Sequence, residues 1–273
     1  MILVPLPANL STGFLPKERA KKAAFFFAYG DNPSYLDTAR TFANLALENK
    51  FDHIIIFTDT DCTKTNYMEI LAQIASICEA NGLCWIGIST HGNIENNVGS
   101  TIEFCCSSGA NGIDPNSKMS SVELHAEIRK INEKVRLLLT FDACQSNSFA
   151  PLGMEWLGHF LLTLLPTAPG QFQFPGLFLN NRNESISETN LHGANSAQVI
   201  VIGVDGFGNS DCDDNHKGCF AGAFSAALVR TVKPQTYKEL ADTMIDLRPS
   251  TAKFTYTYRS ENANSFEASV PLS

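Results

Sequence analysis

The sequence predicts an α/β protein with three layers, in which helices cover both faces of a mostly parallel sheet. Short apolar runs alternate along the chain with segments whose apolar residues recur at helical spacing. Strands and helices that alternate in this way form βα units, and their right-handed crossovers produce parallel strands with helices on both faces. A composition of 44% hydrophobic and 18% charged residues is typical of a folded globular protein and excludes a disordered chain or a coiled coil.

The predicted strands are apolar or β-branched runs that end at polar or turn-forming residues. In chain order they are Ala23–Tyr29, His53–Phe57, Leu83–Ser89, Arg136–Asp142, Gln198–Val204 and Lys253–Tyr258. The last strand alternates polar and apolar residues, which is the pattern of a strand with one exposed face. Thr101–Cys106 predicts a small hairpin after the third strand.

The predicted helices carry apolar residues at positions three or four apart. They cover residues 36–47, 67–78, 124–135, 220–232 and 237–247. Asn66 with Glu69 predicts the cap of the second helix, and Ser120 with Glu123 predicts a capping box before the third.

The chain is predicted to form a single domain over residues 1–273, because its length suits one large core. Residues 146–197 differ from the rest, since they are rich in Pro, Gly and Asn and contain one apolar piece, Met154–Leu165. We interpret this segment as an insertion or a processing linker within the domain.

Charge and apolar content narrow the range of partners. A net charge of −8 without a clustered run of Lys and Arg argues against a nucleic-acid partner. No apolar run approaches the roughly 18 residues of a membrane span, and Met1–Leu10 has no basic region, so we expect no membrane association, no classical export and a cytoplasmic location.

The eight Cys residues lie mostly in apolar runs, which suits reduced thiols and predicts neither a disulfide framework nor a metal site.

Candidate catalytic residues follow two successive predicted strands. His91 comes just after the third strand, and Cys144 comes just after the fourth. Ligands of an open parallel sheet bind outside the carboxyl ends of its strands. A neutral imidazole takes or gives a proton near neutral pH, so a His beside a Cys predicts nucleophilic catalysis. Gly92 is either a turn residue or, with Cys144, a source of backbone N–H groups that stabilise an oxyanion.

Several carboxylates also fall at or just past the predicted strand ends: Asp31, Asp59, Asp61, Asp142 and Asp205. Each of them alone is typical of a turn or a cap. Together they predict an electronegative edge at the candidate site.

The motifs at these strand ends resemble those of metacaspases, which are caspase-like clan-CD cysteine peptidases of the C14 type. His91-Gly92 and Asp142-Ala143-Cys144 are similar to their H-G and D-x-C motifs, and the separation of His91 from Cys144 is close to the roughly 50 residues found in caspases. Three further segments resemble metacaspase motifs: Leu36–Ala39, Phe57–Asp59 and Gly222–Ser225. The resemblance covers about Ala23 to Tyr258, with 146–197 unmatched.

The resemblance implies a caspase-like fold and a cysteine endopeptidase that works through a thioacyl-enzyme on protein or peptide substrates. It places Asp37 and Asp142 at the pocket carboxylates that receive a basic P1 side chain, so cleavage is expected after Arg or Lys. Arg182, within the predicted linker, is then a candidate for self-cleavage. No cofactor is expected, and calcium activation has no support from matching residues, because residues 112–116 match the acidic calcium segment of metacaspases poorly.

Other interpretations stay open. One is a catalytically silent caspase-like scaffold that binds a partner through residues 146–197, and another is caspase-type cleavage after Asp. A nucleotide-binding protein is disfavoured because neither GxGxxG after the first strand nor GxxxxGK[ST] occurs, and a serine hydrolase because no GxSxG elbow occurs. The sequence does not specify the oligomeric state.

Overall fold

The computed structural model describes residues 18–95, 99–105, 117–131, 134–144, 146, 197–206, 219–229, 234–248, 254–261 and 263–273. These residues belong to one compact unit, which is made from Met1–Pro151 and His192–Ser273. Most of the predicted linker, including Met154–Leu165 and Arg182, lies outside the described residues.

A six-stranded sheet forms the centre of the described structure. In chain order the strands are β1 Ala20–Ala28, β2 His53–Thr58, β3 Cys78–Ser89, β4 Gly92–Glu95, β5 Gly99–Glu103, β6 Lys118–Ser120, β7 Arg136–Asp142, β8 Gln198–Gly206 and β9 Phe254–Glu261. The central sheet has the order β2-β1-β3-β7-β8-β9, and its strands are parallel except β9, which pairs antiparallel with β8. Strands β4, β5 and β6 form a separate antiparallel sheet.

Helices cover both faces of the central sheet. They are α1 Pro33–Glu48, α2 Lys64–Ile77, α3 Ser121–Ile128, α4 Cys219–Leu228, α5 Tyr237–Leu247 and the short α6 Asn264–Glu267. Apolar residues of α2 and α3 pack on one face of the sheet, and those of α1, α4 and α5 pack on the other. The predicted three-layer α/β/α sandwich with a mostly parallel sheet is confirmed.

Alternate side chains of β1 enter the two layers. Phe25 and Phe27 belong to the core beneath α2 and α3, whereas Phe26 belongs to the opposite core. There Phe26 meets the ring of Trp85 edge to face at a centroid distance of 4.9 Å. The Trp85 indole N–H donates to the hydroxyl of Thr140 at 3.0 Å, so this buried polar group is satisfied. The sheet is thus a closely packed base for the loops at its carboxyl edge.

Two local predictions have different outcomes. The capping box is confirmed, because the Ser120 hydroxyl accepts from the Glu123 N–H at 3.2 Å and the Glu123 carboxylate accepts from the Ser120 N–H at 2.9 Å. The predicted cap of α2 is wrong. Thr63, with an extended backbone, is the N-cap, and its hydroxyl accepts from the N–H of Asn66, which lies inside the first turn.

The predicted hairpin at Thr101–Cys106 is also corrected. Residues 101–103 belong to β5, which pairs with β4 on one side and β6 on the other. The antiparallel partner that precedes β5 in the chain is β4, Gly92–Glu95, which the predicted hairpin did not include. Within the described ranges, no helix has the length and apolar character needed to cross a membrane.

Candidate active site

The register between β3 and β7 brings the two candidate catalytic residues to one edge of the sheet. Ser89 is paired with Asp142, at the ends of the two strands. His91 and Cys144 each follow two residues later, and the Thr90 N–H donates to the Asp142 carbonyl at 3.2 Å, which extends the contact beyond the last pair. Because β3 and β7 end at the same register pair, His91 and Cys144 follow the two strands at the same edge of the sheet.

Gly92 lies directly against the backbone of Cys144. A Cβ at this position would overlap the Cys144 carbonyl oxygen and would lie 3.0 Å from the Cys144 nitrogen and carbonyl carbon. Gly92 faces Ile102 on β5, and the Glu103 N–H donates to the His91 carbonyl. In an antiparallel ladder this pattern makes Gly92 and Ile102 a non-hydrogen-bonded pair, so the Gly92 N–H is directed away from β5.

Asp31, in the connection between β1 and α1, and Tyr35, in the first turn of α1, contact the two ring nitrogens of His91. Asp31 Oδ2 lies 2.6 Å from Nε2, and the Tyr35 hydroxyl lies 3.2 Å from Nδ1. The rings of Tyr29 and Tyr35 meet the imidazole edge to face, at centroid distances of 5.7 and 5.4 Å. The His91 side chain is still 47% exposed, so the imidazole is both held in place and open to solvent.

Tyr35 is the buried member of this group, with 6% of its surface exposed. Burial, and then the negative charges of Asp142, Asp31 and Cys144, raise the pKa of the Tyr35 hydroxyl well above its usual value. The hydroxyl therefore keeps its proton and is available as a donor towards His91.

Asp142 is buried at the end of β7, with 1% of its surface exposed. Its Oδ2 accepts hydrogen bonds from the Thr38 hydroxyl of α1 at 2.9 Å and from the Ser89 hydroxyl of β3 at 2.7 Å. The charge of Asp142 also contributes to the raised pKa of Tyr256, after burial. The carboxylate is thus fixed between α1 and the sheet, and its negative charge acts on neighbouring groups.

Ser146 anchors the chain just after Cys144. Its buried hydroxyl lies 3.2 Å from the carbonyl oxygens of Phe141 and Val204, and it accepts from the Val204 N–H at 2.8 Å. The hydroxyl joins the turn that carries Cys144 to the end of β8. Sequence reasoning missed this residue, since a Ser in a polar stretch carries no signal that it will be buried.

The two predicted pocket carboxylates differ in exposure and in hydrogen-bond partners. Asp37 lies on the exposed side of α1, 49% accessible, and its Oδ1 is 3.6 Å from a guanidinium nitrogen of Arg40. The next residue, Thr38, is the one that faces Asp142. Thr38 belongs to the buried face of α1, with Tyr35 and Ala39, whereas Asp37 is exposed.

Three of the other described cysteines differ from Cys144 in burial. Cys62, Cys78 and Cys84 are buried, whereas Cys105 and Cys144 are partly exposed. Burial raises the pKa of the Cys62 and Cys84 thiols, which keeps them protonated and unreactive. Among the described thiols, Cys144 is the partly exposed one at the His91 edge.

The sequence marked Asp31 as one of the carboxylates of an electronegative edge, and as a turn former when taken alone. It predicted no contact with His91 for Asp31, and it drew no attention to Tyr35, which precedes the helix predicted over residues 36–47. The signal for Asp31 was its place just past β1, which pairs with β3, the strand that precedes His91.

The fold and the site define a three-layer α/β protein with a His and a Cys at neighbouring strand ends. No family model and no curated protein matches the chain. Among solved structures it is similar to protein GSU0716 from Geobacter sulfurreducens, with 13% identity, a TM-score of 0.55, and coverage of 92% of this chain and 98% of that one.

Two caspase structures also match. For pro-sf-caspase-1 the identity is 11% and the TM-score 0.47, with 94% of each chain covered. For caspase-1 from Spodoptera frugiperda the identity is 10% and the TM-score 0.49, with 93% of each chain covered. At such identities the likenesses concern the fold alone.

Proposed function

We propose that this protein is a cysteine endopeptidase in which Cys144 is the nucleophile and His91 is the general base and acid. The observation that carries the proposal is the pairing of Ser89 with Asp142, which sends His91 and Cys144 from neighbouring strands to one edge. The contact of Gly92 with the Cys144 backbone supports it, because backbone N–H groups are then close to the nucleophile.

The proposed reaction has two halves, acylation and deacylation of Cys144. The Cys144 sulfur attacks the scissile carbonyl carbon, and His91 receives the thiol proton. The Gly92 and Cys144 N–H groups stabilise the oxyanion, and the C–N bond breaks as His91 protonates the leaving amine. Water, deprotonated by His91, then hydrolyses the thioacyl-enzyme and restores the thiol.

We infer a preference for Arg or Lys at P1, with Asp142 as the acceptor of the cation. Asp142 carries negative charge at the same edge as Cys144, and a desolvated carboxylate binds a guanidinium or an ammonium group strongly. The exposed position of Asp37 does not support a shared role in the pocket.

The test is hydrolysis of a peptide library varied at P1 by the wild type, Cys144→Ala and His91→Ala. Both variants are expected to lose at least about a thousandfold in kcat, because the two residues act as one unit and their losses do not add. Cys105→Ala is the matched control, since Cys105 is another partly exposed thiol, and it is expected to retain turnover.

Substantial turnover by either Cys144→Ala or His91→Ala contradicts the proposal. A folded wild type that cleaves no peptide in the library, and whose Cys144 does not react with peptide-based thiol probes, supports a catalytically silent scaffold instead. Cleavage mainly after Asp would support the proposed peptidase activity but overturn the proposed preference for a basic P1 residue.

A further inference from the structure

Asp31 and Tyr35, which the sequence motifs do not assign to catalysis, contact the ring nitrogens of His91. Asp31 Oδ2 is 2.6 Å from Nε2, and the Tyr35 hydroxyl is 3.2 Å from Nδ1. An ionised carboxylate only accepts hydrogen bonds, so Nε2 carries a proton in this arrangement. In neutral imidazole Nδ1 then bears the lone pair, and the Tyr35 hydroxyl donates to it.

The position of Asp31 is fixed by the chain on both sides. Before it, β1 is extended by the Tyr29 N–H, which donates to the Ser89 carbonyl at 3.0 Å. After it, Asn32 caps α1 by accepting from the Ser34 N–H at 3.0 Å. Asp31 therefore sits on a short connection between two ordered elements, and its carboxylate is directed at His91 by the backbone.

We propose that Asp31 is a positioning residue of the Cys144–His91 pair, which holds His91 through Nε2–H so that Nδ1 exchanges the proton with Cys144 and with the leaving amine. This inference rests on the proposed function. The Tyr35 hydroxyl donates to Nδ1 in the resting site, and its oxygen is able to accept from Nδ1–H once that nitrogen takes the proton. Asp31 also stabilises the imidazolium that forms once the thiol has lost its proton.

The stabilisation is limited by solvent, because the Asp31 and His91 side chains are 45% and 47% exposed. The expected loss is therefore smaller than for a buried triad carboxylate, whose replacement by Asn lowers kcat about 10⁴-fold in serine proteases. For Asp31→Asn we expect kcat to fall roughly 10- to 100-fold, with KM changed less than about twofold, because the carboxylate acts on His91 rather than on the substrate.

A second readout does not require turnover. The rate at which iodoacetamide alkylates Cys144 follows the thiolate population, and it is measured against pH by mass spectrometry of the Cys144 peptide. A thiolate is stabilised by a neighbouring imidazolium. Asp31→Asn makes the imidazolium less stable, so the alkylation midpoint is expected to move to higher pH, and His91→Ala moves it further.

Several titratable or charged groups lie around His91 and influence the pH dependence of the alkylation rate. They are Tyr29 at the end of β1, Asp31, Tyr35 on α1, Glu103 on β5, Asp142 on β7 and Cys144 itself. Tyr35 keeps its proton through the range of interest, because its pKa is strongly raised by burial. Asp31→Glu, which keeps the charge, is expected to recover part of both kcat and the alkylation midpoint.

Asp242→Asn is the control, since it removes a similarly exposed carboxylate that pairs with Lys238 at 2.9 Å on α5. It is expected to match the wild type in kcat and in alkylation. An Asp31→Asn enzyme with wild-type kcat, or with an unshifted alkylation midpoint, overturns the inference while the proposed peptidase stands. If no peptide is cleaved but His91→Ala and Asp31→Asn both shift the midpoint, the proposed function fails and the positioning role is retained.

Discussion

Gly92 is a position where the structure leaves no room for a side chain. We expect Gly92→Ala to lower kcat at least about 100-fold, because its Cβ would push the loop away from the Cys144 carbonyl and displace an oxyanion donor. The measurement is steady-state hydrolysis of the best library peptide, together with thermal unfolding.

Gly222 supplies the matched control for this change. A Cβ at Gly222, in α4, would meet nothing within 4 Å. Because Ala favours a helix over Gly, Gly222→Ala is expected to leave kcat unchanged and to raise the free energy of unfolding by up to about 1 kcal/mol. Equal kcat for the Gly92→Ala variant and the wild type would exclude a close functional contact at Gly92.

Asp142 is the residue on which P1 specificity is expected to depend. Asp142→Asn keeps the size of the side chain and an oxygen for the Thr38 and Ser89 hydroxyls, but it removes the charge. Losing one partner of a desolvated charge pair costs about 2 kcal/mol or more, so kcat/KM for P1 Arg should fall roughly 30-fold relative to P1 Gln.

The comparison with Asp37→Asn separates the two carboxylates. Asp37 is exposed and pairs with Arg40, so its removal is expected to change the Arg-to-Gln ratio far less than removal of Asp142 does. A larger effect at Asp37 than at Asp142 would show that the cation binds at the outer side of α1.

At the scale of elements, the turn that carries Cys144 depends on an attachment to β8. The last register pair of β7 with β8 is Thr140 with Ile202, and beyond it the Ser146 hydroxyl makes the link. Among the described residues, Ser146 links the turn that carries Cys144 to the neighbouring strand β8. The geometry of Cys144 is therefore coupled to β8, a strand that follows it by more than fifty residues in the sequence.

We expect Ser146→Ala to lower both stability and turnover. It leaves the Val204 N–H without its Ser146 acceptor in a buried site, at a cost of about 1–3 kcal/mol. The measurements are chemical denaturation and kcat at a temperature where the variant is fully folded. A Ser146→Thr variant keeps the hydroxyl and should retain more activity than Ser146→Ala, and equal losses in the two variants would indicate a steric effect instead.

At the scale of the whole molecule, self-processing is expected within residues 146–197, after Arg182. The basis is that this stretch follows the nucleophile, has the polar composition of an exposed loop and contains a single Lys or Arg residue. Intact-mass analysis of the wild type beside Cys144→Ala and Arg182→Gln is the measurement. A cut that needs both Cys144 and Arg182 agrees with the prediction, and full-length protein in all three samples after prolonged incubation contradicts it.

The sequence by itself determined the layered fold. The parallel strands were predicted from their apolar composition, and β9 was predicted from its alternation of polar and apolar residues. Helices α1 and α5 were predicted from the spacing of their apolar residues. It also determined that His91 and Cys144 share an edge, since parallel strands bring their carboxyl ends together. Both features follow from sequence patterns that each span only a few neighbouring residues.

Only the tertiary structure decided which side chains surround that pair. Asp31 and Tyr35 reach His91 across some sixty positions of sequence, and Thr38 rather than Asp37 faces Asp142 because of the rotation of α1 on the sheet. Ser146 is buried because its hydroxyl contacts β8, the strand that pairs with β7. Such contacts depend on strand register and helix rotation, which are fixed by packing over the whole core and leave no local pattern in the sequence.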